Sequence, residues 1–153
     1  MIKEYVSKWN KNKKNLEEYF RNTRQEEYNN YKTIVTKLIE LVINYNVEDS
    51  FEQLDVERIT EIDNGGYQGT LIYVIPKGYY QPCIEDYVYT FVYYGSCSGC
   101  DVLLAISDYE EDKPNEEQVK EYMQLALNIL QQFHYFKEGV VGDIEWVQNK
   151  KMQ

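Results

Sequence analysis

The sequence predicts an α+β domain: an antiparallel sheet of three or four strands, covered by helices and preceded by an N-terminal helical arm. Three observations support this class. No Gly or Pro precedes Gly65 and the first 46 residues show helical periodicity; the middle of the chain is rich in β-branched and aromatic residues; and a second helical pattern follows Pro114. We divide the chain into a helical arm (residues 1–47) and an acidic α+β body (residues 48–153).

Two apolar stripes mark the arm. The second recurs every three or four residues, which lines one face of a helix: Tyr28, Tyr31, Val35, Leu38, Val42 and Tyr45. The first is interrupted by a polar run at residues 10–15, which suggests two helices rather than one: Ile2, Tyr5, Trp9, Leu16 and Tyr19. We expect the arm to fold onto the body. A coiled-coil homodimer through these helices is the alternative, although few heptads are filled.

The strands are predicted at Val56–Ile62, Gly69–Ile75 and Tyr87–Tyr94, where Val, Ile, Thr, Tyr and Phe concentrate. Residues 71–75 are apolar on both faces, so the second strand should lie centrally. Between the first two strands, Asn64-Gly65-Gly66 is expected to supply the positive φ values of a hairpin turn. An antiparallel meander is the most economical topology.

The third strand is followed by a loop that leads into a short helix at residues 102–106. Ser98, with Asp101 three residues later, has the pattern of a capping box before an apolar run. We therefore expect Ser98 to be the N-cap, which would place Cys100 in the first helical turn.

A longer helix is predicted to start near Asn115 and to end by Gly139. Its apolar stripe should cover the sheet: Val119, Tyr122, Met123, Ala126, Ile129, Leu130 and Phe133. This assignment includes His134 in the helix. Beyond it, Ile144 and Trp146 alternate as in a short closing strand or a packed tail.

Charge is unevenly distributed along the chain. The whole chain has 26 Asp and Glu against 16 Lys and Arg, a net charge of −10, with a balance of +3 in residues 1–47 and −13 in residues 48–153. An acidic body repels nucleic acid and favours basic protein surfaces. No apolar run approaches the roughly 18 residues of a membrane span, and the charged N-terminus is unlike a signal peptide. We therefore expect a cytoplasmic protein with no membrane and no direct nucleic-acid partner.

Two short elements carry a resemblance. Residues 65–69 read GGYQG and residues 94–103 read YGSCSGCDVL. Together they resemble an uncharacterised family of small phage, prophage and bacterial proteins, in which a G-D-Y-Q-G element precedes a Y-G-S-C-S-G-C-D element. Gly66 stands where that family usually has Asp. The resemblance spans roughly residues 62–106 and implies a phage-related origin rather than an activity.

Both elements follow predicted strands, so their side chains are candidate binding residues: Tyr67, Gln68, Tyr94, Ser96, Cys97, Ser98, Cys100 and Asp101.

The Cys97–Cys100 pair admits several interpretations. The cysteines could pack as small hydrophobes in a tight strand-to-helix turn. They have the spacing of a zinc knuckle, which Cys83 or His134 would have to complete, and zinc is the cofactor this pattern allows. Strand, Cys-x-x-Cys and helix is also the local order of a thioredoxin-like redox site, in which the helix N-terminus would favour a thiolate and Asp101 would oppose it. A helix N-terminus can also bind an anion or a partner's backbone.

No catalytic residues are assigned, because a single His and the lack of a phosphate-binding Gly-rich loop before a Lys leave the common catalytic sets incomplete. We therefore expect a non-enzymatic, phage-type acidic protein that inhibits a host protein, such as a CRISPR or restriction effector, by occupying a basic surface. The alternative is a small-ligand, metal or thiol site formed by the Gly65–Gly69 turn and the Cys97–Cys100 loop.

Overall fold

The computed structural model describes residues 2–26, 31–97 and 99–136, and it confirms the α+β class. Four helices and one four-stranded antiparallel sheet occur in this part of the chain. In chain order they are α1 (Ile2–Asn22), α2 (Tyr31–Leu38), β1 (Thr60–Asp63), β2 (Gly69–Pro76), β3 (Tyr87–Tyr94), α3 (Val102–Ser107), α4 (Glu116–Gln131) and β4 (His134–Tyr135).

Helix α1 is continuous through the polar run that we expected to interrupt it. Asn12 and Asn15 of the run face the end of α2, which continues as a π-helical turn over Ile39–Ile43, and the other four residues of the run are exposed to solvent. Carbonyl groups at a helix end lack partners within the helix. Three α1 side chains donate to successive carbonyls there: Lys8 to Ile43 (2.9 Å), Asn12 to Val42 (2.9 Å) and Asn15 to Leu41 (3.1 Å).

The sheet is a meander with the strand order β1-β2-β3-β4, as predicted for the first three strands. Strand β2 lies between β1 and β3, and its pairing with β3 runs from Gly69 opposite Tyr94 to Pro76 opposite Tyr87. This register places the Gly65–Gly69 turn and the loop after Tyr94 at the same end of the sheet.

Strand β1 is shorter than predicted and begins only at Thr60. Residues Val56–Arg58 form a 3-10 turn instead. The carboxylate of Asp55 caps this turn by accepting from the N–H of Glu57 (3.0 Å) and from the guanidinium of Arg58 (2.7 Å). A local cap thus overrides the strand propensity of this segment.

The turn between β1 and β2 does not use positive φ values, so that expectation was wrong. No described glycine has φ in the left-handed range. Gly65 is required for a steric reason, because a Cβ there would lie 2.1 Å from the carbonyl oxygen of Gln68 and 2.8 Å from the Cα of Gly69. A Cβ on Gly66 would meet no atom within 4 Å, so the Asp found there in the resembling family would fit.

Helix α4 is the centre of the core. It packs on β3, where the Thr90 hydroxyl donates to the carbonyl of Ile129 (2.8 Å). On another side it packs on α1, with the rings of Phe20 and Tyr122 stacked at 5.1 Å. The apolar face of the arm is buried in the same hydrophobic cluster as the sheet: Tyr31, Ile34, Val35, Leu38 and Val42. Tyr45 is 44% exposed, and Tyr28 lies outside the described residues.

The C-terminal boundary of α4 was predicted too late. The helix ends at Gln131, and His134 belongs to β4, which pairs with β3 through Tyr89. Phe133 is nevertheless buried, as predicted from the apolar stripe of this helix. Gly139, Ile144 and Trp146 lie outside the described residues.

Among the helices of the described ranges, none combines the length and the apolar character needed to cross a membrane.

The side-chain bonds from α1 to the π-helical turn give a stability prediction. Asn12→Ala/Asn15→Ala should lower the free energy of unfolding by about 2 kcal/mol, because two half-buried carbonyls lose their donors. Asn10→Ala is the control: Asn10 is exposed on the same helix, and its replacement should change stability only by the few tenths of a kcal/mol that helix propensity contributes. Urea denaturation followed by circular dichroism measures both, and equal effects would refute the assigned role.

Candidate functional site

The two sequence elements meet at one end of the sheet. We call residues 64–69, 94–97 and 99–102 the turn–loop surface. Tyr67 is 87% exposed, and Gln68, Ser96, Cys97 and Cys100 are also exposed. Tyr94 and Asp101 belong to the same region but direct their polar groups inward. Ser98 lies outside the described residues.

The turn is held by Asp63 and Asn64. Asp63 Oδ1 accepts from the N–H of Gly65 (2.9 Å) and from the hydroxyl of Tyr94 (2.5 Å), while Asn64 Oδ1 accepts from the N–H of Thr70 (2.6 Å). Burial, together with the bond to Asp63, raises the pKa of Tyr94 to about 12. Tyr94 therefore joins the turn to the loop as a neutral donor, and Tyr67 is left projecting into solvent.

Asp101 is the hydrogen-bonding centre of the loop. Its side chain is buried, and its carboxylate accepts from the hydroxyl of Tyr31 (2.6 Å), the N–H of Gly95 (2.9 Å) and the N–H of Leu104 (3.1 Å). The Tyr31 oxygen in turn accepts from the N–H of Leu103 (3.2 Å). A buried carboxylate requires such partners because it has lost its hydration. One side chain therefore fixes α2, the end of β3 and the start of α3.

The N-cap of α3 is Asp101, and the expectation that Ser98 would occupy that position was wrong. The helix begins at Val102, so Cys100 lies before the cap and not in the first helical turn. Asp101 takes the role because its carboxylate also reaches Tyr31, a contact that the local pattern does not contain. Any stabilisation of a Cys100 thiolate must therefore come from the loop.

The two thiols of the loop face each other at the surface. Their Sγ atoms are 2.8 Å apart, and both residues are exposed. The N–H of Cys97 donates to Cys100 Sγ (3.2 Å), and the N–H of Cys100 donates to the carbonyl of Cys97 (3.0 Å). Gly95 allows this packing, since a Cβ there would lie 2.5 Å from Cys100 Sγ.

The surroundings of Cys100 favour its thiolate. Its pKa is lowered, first by the hydrogen bond with the Cys97 thiol and then by the main-chain N–H groups of Cys97 and Ser96. The charge of Asp101 opposes the shift, as expected from the sequence, but it is the smallest contribution. The carboxylate is already engaged by three donors that direct it toward the core.

Neither Cys83 nor His134 completes a metal site with this pair. Cys83 precedes β3, whose eight residues separate it from the loop by roughly 23 Å at about 3.3 Å per residue. His134 pairs with Tyr89, stacks on its ring at 5.3 Å and contacts the carbonyl of Gln132 (2.7 Å). In the described ranges, no three or more His, Cys, Asp and Glu side chains are grouped to hold a metal ion.

A groove of about 520 Å³ lies between α3 and α4, beside the loop. Cys100 and Val102 line it on one side, and Glu121, Gln124 and Asn128 line it on the other. No Lys or Arg of the described ranges contributes to its lining. Cys100 belongs to both the groove and the turn–loop surface, so the two form a continuous surface.

The segment between α3 and α4 carries four acidic side chains. Asp108, Glu110, Glu111 and Asp112 are all exposed, and none of them forms an ion pair within the described part of the chain. Arg24 holds the main chain of this segment. Its guanidinium lies over the ring of Tyr109, 4.5 Å from the ring centroid, and donates hydrogen bonds to the main-chain carbonyls of Tyr109 and Glu111. We call residues 108–112 the acidic run.

Comparison with protein-family models, with curated proteins and with solved structures finds no match to this chain. Its function must therefore be argued from the geometry just described.

Sequence reasoning identified the turn, the loop and the thiol pair, but it missed the groove. The groove is lined by residues from two helices, α3 and α4. The only sequence signal for it is that both helices carry apolar residues through which they could pack against each other.

The network at Asp101 gives a stability prediction. Asp101→Ala should lower the free energy of unfolding by about 3 kcal/mol, because three donors in the protein interior lose their acceptor. Tyr31→Phe removes one of these bonds and also leaves the N–H of Leu103 without its acceptor, so it should cost about 2 kcal/mol. The double variant should show a coupling energy of about 1 kcal/mol, measured by chemical denaturation.

The matched control is Asp108→Ala, an exposed carboxylate just after α3, which should change stability by less than about 0.5 kcal/mol. An Asp101→Ala variant as stable as this control would show that the network is not stabilising.

Proposed function

We propose that this chain is a non-enzymatic, phage-type acidic interaction protein that binds a basic surface of a host protein and inhibits it. The target class that we propose is a host-defence protein of the cytoplasm, such as a CRISPR or restriction effector. The observation that carries the proposal is the acidic run between α3 and α4, four exposed carboxylates that form no ion pair within the described part of the chain.

Physical reasons favour a role of the acidic run in binding a partner rather than only in keeping the protein in solution. Exposed carboxylates that form no ion pair among the described residues are available to a partner's Lys and Arg, and they steer association as well as strengthening it. Arg24 holds the main chain of the run in place, so only the side chains need to be ordered at the moment of binding. The groove adds apolar contact through Val102 and Leu125.

Two further features support the proposal. The resemblance to small phage and prophage proteins concerns the turn–loop surface, which adjoins the groove. On that surface Tyr67 presents almost its whole ring to solvent, and Tyr is a common anchor of protein interfaces.

Charge-dependent binding is the first test. The chain is immobilised, exposed to bacterial host lysate, and washed at about 0.1 M and about 1 M salt, where the Debye length falls from about 10 Å to about 3 Å. We expect one dominant basic protein to be retained at low salt and released at high salt. That protein is then purified, and inhibition of its activity is measured.

Location is tested with two charge-matched variants. One neutralises the acidic run: Asp108→Asn, Glu110→Gln, Glu111→Gln and Asp112→Asn. The other neutralises four exposed carboxylates elsewhere: Glu48→Gln, Glu57→Gln, Glu61→Gln and Glu85→Gln. The first should weaken binding at least tenfold, about 1.4 kcal/mol, and the second much less. Equal effects, or binding insensitive to salt, would contradict the proposal.

A second matched pair tests the aromatic contact. Tyr67 and Tyr80 are 87% and 92% exposed, but Tyr80 lies in the loop at the opposite end of the sheet. Tyr67→Ser should weaken binding to the captured target about tenfold, whereas Tyr80→Ser should leave it unchanged. Calorimetric titration of each variant measures the difference in affinity. A larger loss in Tyr80→Ser than in Tyr67→Ser would place the interface at the opposite end of the sheet.

A further inference from the structure

Cys97 and Cys100 are placed to form a bond with each other. Their Sγ atoms are 2.8 Å apart, against about 2.05 Å in a disulfide, so closure needs a shift of well under 1 Å. The hydrogen bond from the N–H of Cys100 to the carbonyl of Cys97 spans a β-turn, which keeps the two Cα atoms within about 7 Å. Disulfides accept Cα separations of 4.4–6.8 Å.

The pair is also accessible, unlike a structural cysteine pair. Both residues are exposed, and Cys100 lines the groove between α3 and α4. A cavity of about 520 Å³ is within the range that takes a small molecule. A reagent seated there would have Cys100 at its edge and Cys97 directly behind it.

The groove also selects by charge. Among the described residues, its ionisable lining side chains besides Cys100 are Asp101 and Glu121, and none of its described lining residues is cationic. Asp101 is engaged by its three donors, whereas Glu121 is exposed on α4. A cationic molecule is therefore favoured over an anionic one.

We propose that Cys97 and Cys100 are a thiol–disulfide exchange site that reduces a small, positively charged disulfide and becomes an intraloop disulfide in the process. This activity is independent of partner binding by the acidic run.

The exchange proceeds in two balanced steps. The Cys100 thiolate attacks one sulfur of the substrate RSSR, which forms a Cys100–SR mixed disulfide and releases RS⁻. Cys97 then loses its proton to the released thiolate and attacks Cys100 Sγ, which forms the Cys97–Cys100 bond and expels the second RS⁻. One disulfide becomes two thiols while the protein dithiol loses two electrons and two protons.

The roles of the two residues follow from their surroundings. Cys100 attacks because its sulfur accepts a hydrogen bond from the N–H of Cys97 and has a lowered pKa, and because the residue lines the groove. Cys97 resolves because its sulfur touches that of Cys100. Asp101 and the two thiols are the titratable groups of the loop, and Glu121 faces them from α4, so the rate should rise with pH through a single thiol pKa below the ordinary value.

The test uses the full chain with Cys83→Ser, which removes the third exposed thiol. Cystamine, a cationic disulfide, and dithiodipropionate, an anionic one, are the probes; mass spectrometry of the acid-quenched protein is the readout. We expect cystamine to give an intraloop disulfide without a lasting adduct. Lasting adducts on both cysteines, or two unreacted thiols, would overturn the proposal.

Single variants separate the two roles. With Cys97→Ser added, cystamine should leave a stable adduct on Cys100. With Cys100→Ser added instead, an adduct on Cys97 should form several-fold more slowly. Equal or faster reaction of Cys97 would overturn the assignment of Cys100 as the attacking residue. Circular dichroism confirms that each variant is folded.

Charge selection is tested by the ratio of the two probe rates, each normalised to its rate with a neutral model thiol. Cystamine should react about sevenfold faster, because one charge at about 7 Å in water is worth about 0.6 kcal/mol and is favourable for the cation but unfavourable for the anion, and Glu121→Gln should reduce the difference. A ratio of one in the natural chain would overturn the preference for a cationic substrate.

Discussion

The carboxylate of Asp101 is the constraint on which the functional end of the molecule depends. It is a buried charge, and a buried charge is tolerated only when hydrogen bonds replace its hydration. Its three donors come from α2, from the residue after β3 and from the first turn of α3. These three segments must therefore take one relative position, and the loop between them has little freedom. The 2.8 Å approach of the two thiols and the tight contact between Gly95 and Cys100 follow from that restriction.

The orientation of Asp101 also accommodates two regions with opposite electrostatic requirements. The acidic run needs carboxylates exposed to solvent, whereas a reactive thiol is suppressed by nearby negative charge. The structure separates them by orientation: Asp101 directs its charge inward to three donors, and the acidic run extends beyond the far end of α3. Within the groove itself, Cys100 lies opposite a single exposed carboxylate, Glu121 of α4. Partner binding and thiol chemistry would thus share a surface while using different atoms.

The sequence was sufficient for whatever depends on local periodicity. It predicted the class, the strands β2 and β3 with their shared end, the start of α4 and the loop that holds the thiols. It failed where a distant residue decides the local structure. Ser98 and Asp101 both fit a helix cap, and the choice depends on Tyr31, which lies 70 residues away. The polar run of α1 looked like a break because its partners are the carbonyls of residues 41–43. Likewise, β4 is two residues long and exists by pairing with β3.

The packing of α1 on α4 has a consequence for synthesis of the protein. Tyr5 contacts Phe133, and Phe20 contacts Tyr122, so the apolar face of the first helix is covered by residues made more than 100 positions later. The hairpin of β2 and β3 joins neighbouring segments and can form as it leaves the ribosome, but α1 and α2 must wait. During that interval their shared contacts, including the bonds from Lys8, Asn12 and Asn15, can pair the two helices with each other. These polar contacts thus allow α1 and α2 to pair with each other before the hydrophobic core has formed.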